Sequence, residues 1–155
     1  MNTANDFRVA QASWLDLFPL HQLEHACFQA DAWPLIELLA VLTFPGVVRL
    51  KVVVDQRMAG FIAADKSFKH GEAWILTLGV LPEYRRLGIA TLLLTECEKE
   101  IGYHAPIKLS VRASNLPAIR LYQQHGYCQV DVWKNYYRDG EDGWVFEKNY
   151  KIKGG

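Results

Sequence analysis

The chain has 155 residues, with 17 Lys+Arg against 17 Asp+Glu and a formal net charge of zero. That length suits one sizeable core with little room for a second, and the balanced charge supplies no basic field for general binding to nucleic acid or an anionic membrane. With half its residues hydrophobic, 12% aromatic and 22% charged, it is not the composition of a disordered chain.

Residues 1–10 are polar and lack the apolar run of a signal peptide. Residues 7–10 can form a short first strand. Ser13-Trp-Leu-Asp16 has the spacing of a capping box, with Asp in the place of the usual Glu or Gln. Leu17, Leu20, Leu23, Cys27 and Phe28 then recur at helical spacing. Pro34 suits the first turn of a second helix, which the Phe44-Pro45-Gly46 sequence ends. This segment also holds the longest apolar stretch, residues 35–42, which Glu37 interrupts and which is far too short to span a bilayer.

From Val47 the texture becomes β-branched. Residues 47–54 and 58–64 read as a hairpin around a turn at Asp55-Gln56-Arg57. Residues 73–81 are a further strand stopped by Pro82. Gly88 opens a helix running to about Glu100, with Gly102 as its C-cap. Residues 107–111 alternate apolar and polar, as a half-buried strand does. Asn115 can cap a helix through Tyr122 that Gly126 ends, and residues 127–133 and 144–148 close the chain as two more strands. The order predicts one α/β domain over residues 1–155, with a mixed, mostly antiparallel sheet of six to seven strands and about four helices. Cys27, Cys97 and Cys128 are odd in number, widely spaced and form no CxxC. They predict neither a disulfide framework nor a zinc knuckle, and they fit a reducing, cytoplasmic setting.

The segment that carries chemistry is Leu78-Gly-Val-Leu-Pro-Glu-Tyr-Arg-Arg-Leu-Gly-Ile-Ala90. A strand stops, two arginines follow, and a glycine leads into a helix whose first turn offers unpaired N–H groups and a partial positive charge. Such a cradle suits a pyrophosphate. It lacks GxxxxGK[ST] and GxGxxG, so it is neither a nucleotide P-loop nor a Rossmann fingerprint. From these residues alone an ordinary strand–turn–helix with solvated arginines is an equal reading.

Val80-x-Pro82-x-x-Arg85-Arg86-x-Gly88-Ile89-Ala90 resembles the acetyl-CoA signature of the GNAT acetyltransferase superfamily, (Q/R)-x-x-G-x-(G/A). Val111-Arg-Ala-Ser-Asn115, Ala118-Ile-Arg-Leu-Tyr122 and Gly126-Tyr127 resemble its second half. Asn135-Tyr-Tyr137 and Asp139-Gly-Glu-Asp142 resemble the protein N-terminal acetyltransferases, including bacterial enzymes that act on ribosomal proteins. The resemblance covers about residues 78–148. It implies the GNAT fold, acetyl-CoA as co-substrate, no metal, and a primary amine as acceptor, above all a protein or peptide N-terminus. A ribosomal protein is one such acceptor. A monomer or a homodimer is expected, with no nucleic-acid or membrane partner.

The resemblance also implies roles. Leu78 and Val80 would pair their main chains with pantetheine. Arg85, Arg86, Leu87, Gly88, Ile89 and Ala90 would hold the pyrophosphate, and Asn115 would contact the cofactor as well as cap its helix. Tyr122 would protonate the leaving thiolate, since a phenol stays protonated at neutral pH. A backbone N–H near Leu78 to Val80 would stabilise the tetrahedral oxyanion. Tyr136 and Tyr137 would bind the acceptor backbone. At the position where the ribosomal-protein enzymes carry a glutamate base this chain has Ser110. Three routes to a neutral amine follow: a water held by Ser110, another residue such as Glu72, Tyr136 or Tyr137, or no strong base at all, because an α-amine has a pKa of about 7.7–8.0. Acetylation of a small amine, such as a polyamine or amino sugar, and acyl-CoA binding without turnover are the alternative functions.

Other constellations carry less. His21-Gln-Leu-Glu-His25 has the HxxEH spacing of a zinc-protease class but no evident third ligand. The acidic run Asp139, Glu141, Asp142 could attract a cationic amine or be a solvated turn. The five tryptophans are scattered along the chain, and packing is the expectation for each.

Overall fold

The computed structural model describes residues 6–150. Ser13 closes the expected capping box: its Oγ accepts the Leu15 N–H, and Asp16 accepts the Ser13 N–H at 2.9 Å. This starts a short 3-10 turn that runs into helix α1 (Leu17–Phe28). Helix α2 (Leu35–Thr43) follows, with Pro34 as its N-cap residue rather than within the first turn. The first strand, β1 (Val9–Gln11), lies later than the expected residues 7–10 and pairs with β2 (Val47–Val54). Part of the reading of residues 1–10 lies outside the described residues.

Hairpin β2–β3 (Arg57–Asp65) is tighter than expected. Asp55 and Gln56 both have positive φ, +49° and +65°, so two residues make the turn and Arg57 already pairs with Val54. Such two-residue turns match the twist of the flanking strands. Strand β4 (Ala73–Val80), helix α3 (Ile89–Ile101), strand β5 (Ile107–Arg112), helix α4 (Leu116–Gln124), and strands β6 (Cys128–Trp133) and β7 (Gly143–Lys148) complete the order. The seven strands lie as β1-β2-β3-β4-β5-β7-β6, and the fold is mixed α/β.

The sheet is buried on both faces at its centre. Ile62 and Ala64 of β3 meet the α3 side with Leu93, Leu94 and Cys97, while Phe61 and Ala63 meet Leu20, Leu23, Leu38 and Val41 of α1 and α2. Helix α3 approaches closely enough that a Cβ on Gly60 would stand 2.7 Å from Ile89 Cγ2. Among the described residues only one pair of neighbours, β4 and β5, is parallel, and it pairs over just Ala73–Ile107 and Trp74–Lys108. Beyond Trp74 the two strands diverge, and the register between β3 and β4 skips Leu76, a bulge that adds local twist. A cleft opens there. Among the described residues no helix is long and apolar enough to cross a membrane.

Candidate active site

The cleft between β4 and β5 has a volume of about 340 Å³. Its walls come from four places: α1 and the turn after it, the diverging stretch of β4, the outward face of β5 with the start of α4, and the β6–β7 connection. Chain alternation explains the β5 wall. Leu109 and Val111 point into the core, so Ser110 and Arg112 point into the cleft.

Helix α1 contributes a group that the motifs do not reveal. Glu24 lies on the buried stripe of α1 beside Leu20 and Leu23 and is 1% exposed. One carboxylate oxygen accepts the Thr77 hydroxyl at 2.9 Å, and the other has no hydrogen-bond partner. Burial dominates its titration and pushes its pKa from 4.5 to about 6, against the opposing pull of the Thr77 hydroxyl. The signal in the sequence is a lone carboxylate on an otherwise apolar helical stripe. The HxxEH pattern points instead to its neighbours. His21 and His25 do meet, Nε2 to Nε2 at 3.0 Å, but on the outer side of the helix, and among the described residues no third ligand completes a metal-holding group.

Across the cleft, Tyr122 of α4 is 7% exposed, with its ring set edge-on against Tyr127 at 5.7 Å. Burial holds its phenol well above the ordinary pKa of 10, so it is a neutral donor at every working pH. Asn115 lines the same cleft while its side chain caps α4 by accepting the Ala118 N–H. Leu78 lines the cleft too.

Tyr136 and Tyr137 form the wall from the β6–β7 connection. Tyr137 is half-buried, lines the cleft together with Ser110 and has its pKa raised, mainly by burial; Tyr136 is 54% exposed. Arg112 ties this wall to the opposite one. Its Nε and Nη2 reach both oxygens of Asp31, at 2.6 and 2.9 Å, its Nη1 reaches Asp139 at 2.9 Å, and its guanidinium lies 4.2 Å from the Tyr137 ring centroid. The fork geometry of arginine allows this double bridge, and the acidic partners hold its pKa up. Thus Asp139 is occupied rather than merely solvated, and Glu141 accepts the Ser114 hydroxyl.

The tryptophans are less scattered than the sequence suggests. Trp33, Trp74 and Trp133 all line the cleft, with Trp74 and Trp133 stacked at 5.8 Å. Glu72, one of the alternative bases, does not line it. Its carboxylate takes Lys108 at 2.9 Å and the Trp74 indole N–H at 3.0 Å, and the Lys108 hydrogen bond pulls its pKa down. An ion-paired carboxylate with a lowered pKa is a poor base.

The expected pyrophosphate residues stand together at the end of β4, away from the cleft. Arg86, Leu87 and Gly88 are exposed, and Gly88 has φ +87° with open space where a Cβ would stand. Glycine is needed there for its backbone conformation, and the first turn of α3 leaves its N–H groups unpaired beside it. Ile89 is buried in the core, leaving only its main chain for a ligand, and Ala90 is half-buried. Arg85 turns its Nε back to the Val80 carbonyl at 3.0 Å, which also accepts the Cys27 thiol at 3.4 Å. The Val80 carbonyl is therefore already engaged, and Arg85 braces the turn in addition to any phosphate role.

Comparison with known proteins gives one consistent picture. The model of the Acetyltransferase (GNAT) family matches residues 12–127. The N-terminal acetyltransferase A complex catalytic subunit NAA10 of Arabidopsis thaliana is 31% identical over 151 residues, 94% of this chain and 79% of that one. An N-alpha-acetyltransferase of Saccharolobus solfataricus is 46% identical over 77 residues, 48% of this chain and 46% of its own, so the match spans less than half the length of that curated relative. Among solved structures, the ribosomal-protein-S18-alanine N-acetyltransferase of Escherichia coli superposes with a TM-score of 0.84 at 25% identity, covering 96% of each chain.

Proposed function

Because the chain belongs to the GNAT acetyltransferase family, we propose that it transfers the acetyl group of acetyl-CoA to the α-amine of a protein or peptide N-terminus, by direct attack of the amine on the thioester. The observation that carries this reading is one pair of groups on opposite walls of one cleft. Glu24 is a buried carboxylate with an unused oxygen, and Tyr122 is a buried phenol that stays protonated. The first can take a proton and the second can give one.

In this mechanism Glu24 takes the proton of the incoming ammonium, directly or through one water. An α-amine, with its pKa of about 7.7–8.0, needs only modest help from a base near 6, whereas a lysine side chain near 10.4 needs far more. The neutral amine attacks the thioester carbonyl. The edge of β4 that β5 leaves unpaired beyond Trp74 supplies backbone N–H groups for the tetrahedral oxyanion. The intermediate collapses with C–S cleavage; Tyr122 hands its proton to the departing thiolate, and the second proton of the acylated nitrogen leaves to the resulting phenolate, directly or through water, which restores Tyr122. Arg86, Gly88 and the first turn of α3 hold the pyrophosphate, and Asn115 lies beside the pantetheine arm. Tyr136, Tyr137 and the Arg112–Asp31 bridge receive the acceptor main chain. Ser110 lines the cleft and does not act as the base.

The test is free-thiol release from acetyl-CoA with a panel of free-N-terminus peptides beginning with Ala, Ser or Met, ribosomal-protein N-termini included, beside polyamines and amino sugars. Release with a peptide, abolished by blocking its N-terminus, is the expected result. Release with small amines alone overturns the acceptor assignment. Acetyl-CoA binding without release from any acceptor points instead to a binding module.

A further inference from the structure

Next to the active-site cleft lies a second one, of about 270 Å³, between α2 and the sheet. The two share a wall, because Trp33 and Leu76 line both. The second cleft has an apolar floor that includes Val41 and Phe44, and two carboxylates at its rim, Glu37 of α2 and Asp65 at the end of β3. Neither carboxylate meets a cationic side chain among the described residues. Asp65 accepts only the Ser67 N–H, at 2.8 Å. The neighbouring cation, Arg49, is committed elsewhere: its Nε donates to the Val41 carbonyl at 2.9 Å and its Nη2 to the Phe44 carbonyl.

We propose that this cleft is a specificity subsite that takes an arginine or lysine side chain of the acceptor peptide, a few residues after the acetylated N-terminus. The inference rests on the peptide reading above and names which peptides the site prefers. The volume falls just short of the range for whole small-molecule ligands, and suits one side chain. The chemistry matches a long cationic residue, whose apolar stem lies on an apolar floor while its charged head stays at the rim. Two unpaired carboxylates stand ready to receive that head, and Trp33 adds apolar surface to the wall the stem lies against. The shared wall supplies the continuity. A chain whose amine is between Glu24 and Tyr122 and whose backbone leaves past Trp33 passes beside the second cleft, at about 3.3–3.6 Å per extended residue.

The experiment uses the full chain, acetyl-CoA and peptides with one fixed, free N-terminal residue. Arginine is placed in turn at positions 2 to 5 and compared at each with citrulline, which has the same shape and no charge and offers no second amine. At one of these positions kcat/KM for the arginine peptide should exceed that for citrulline roughly five- to tenfold, as two partly exposed ion pairs allow. The preference should shrink as salt is raised to about 0.5 M. Glu37→Gln with Asp65→Asn should abolish it and leave the citrulline peptides unchanged, since neither residue touches the reacting atoms. Equal kcat/KM for arginine and citrulline at all four positions overturns the inference, as does a preference that survives the double variant. A preference that salt leaves intact on the unaltered protein overturns it as well, which keeps the inference testable should the variant fold poorly. A protein that acetylates no free-N-terminus peptide overturns the parent reading and this one with it, a result distinct from equal turnover.

Discussion

Replacing Glu24 with glutamine separates its chemical duty from its cost to the fold. Burial raises the carboxyl pKa from 4.5 to about 6. The folded state therefore holds this proton more tightly than the unfolded chain does, so the group's contribution to stability declines as pH rises through the window from 4.5 to about 6 and stays low above it. At about 1.4 kcal/mol per pKa unit the loss at pH 8 is about 2 kcal/mol. Glutamine keeps the shape and can still accept the Thr77 hydroxyl, but carries no charge. Glu24→Gln should thus stabilise the protein at pH 8 by up to about 2 kcal/mol, or about 4–8 °C in Tm for a chain of this size. The gain should fade below pH 5. In the same protein kcat should fall by about 10²–10⁴, the usual cost of losing a general base. Urea unfolding at pH 8 and pH 4.5, beside thiol release at saturating acetyl-CoA, reads both. The unaltered enzyme should show an ascending limb of kcat near pH 6 that the variant lacks. Full activity in Glu24→Gln would falsify the base assignment, and a variant less stable than the parent at pH 8 would refute the claim that a desolvated charge sits there at a cost.

Four further outcomes are expected. Tyr122→Phe should lower kcat by about 10²–10⁴ with little change in acetyl-CoA KM, and the unaltered enzyme should show no loss of kcat up to pH 10, because burial keeps this phenol protonated; a pH-rate profile checks the second point. Arg112→Lys, which loses the fork between Asp31 and Asp139, should raise the acceptor KM about tenfold and leave the acetyl-CoA KM within twofold. Gly88→Val forces a β-branched residue to a positive φ; it should cost about 1–2 kcal/mol in urea unfolding and raise the acetyl-CoA KM several-fold. Ser110→Ala should change kcat by no more than about threefold, since a serine hydroxyl is no useful base and the change removes one polar group from the cleft wall.

The parts of this molecule that are legible in the sequence are those written locally. Capping at Ser13, the alternation in residues 107–111 and the Pro82–Gly88 punctuation each depend on a few adjacent residues, and the elements they predict stand within a residue or two. The hairpin turn reads one residue too long because Asp55 and Gln56 are not the glycines that usually mark two positive-φ positions, yet both adopt them. What the sequence hides is what the fold assembles from distant segments. Asp31, Arg112 and Asp139 form one bridge although 81 and 27 residues separate the arginine from its partners. Trp33, Trp74 and Trp133 read as scattered because only the sheet order brings their strands and loop to one cleft. Glu24 is hidden for another reason. A glutamate on an amphipathic helix is ordinarily solvated, and only the packing of α1 against β4 turns this one inward.

That inward turn bears on the residue that departs most from the resemblance. A base on β5 and a base on α1 approach the same cleft from different walls, so one can be dispensed with when the other is present. Ser110 cannot accept a proton usefully, and Glu72 is held by Lys108. Glu24 is left as the carboxylate that both reaches the cleft and has an oxygen to spare. Its pKa near 6 is also well matched to the task. It is low enough that about nine in ten molecules carry the base form at pH 7, and high enough that the base is stronger than a solvated carboxylate by more than about tenfold in proton affinity. Restoring a glutamate at position 110 in the Glu24→Gln background should therefore recover part of the lost kcat, because the fold already aims that side chain at the same space. A Ser110→Glu, Glu24→Gln protein that folds, binds acetyl-CoA and stays as slow as the single variant would show that the two walls are not interchangeable, and that the proton must leave toward α1.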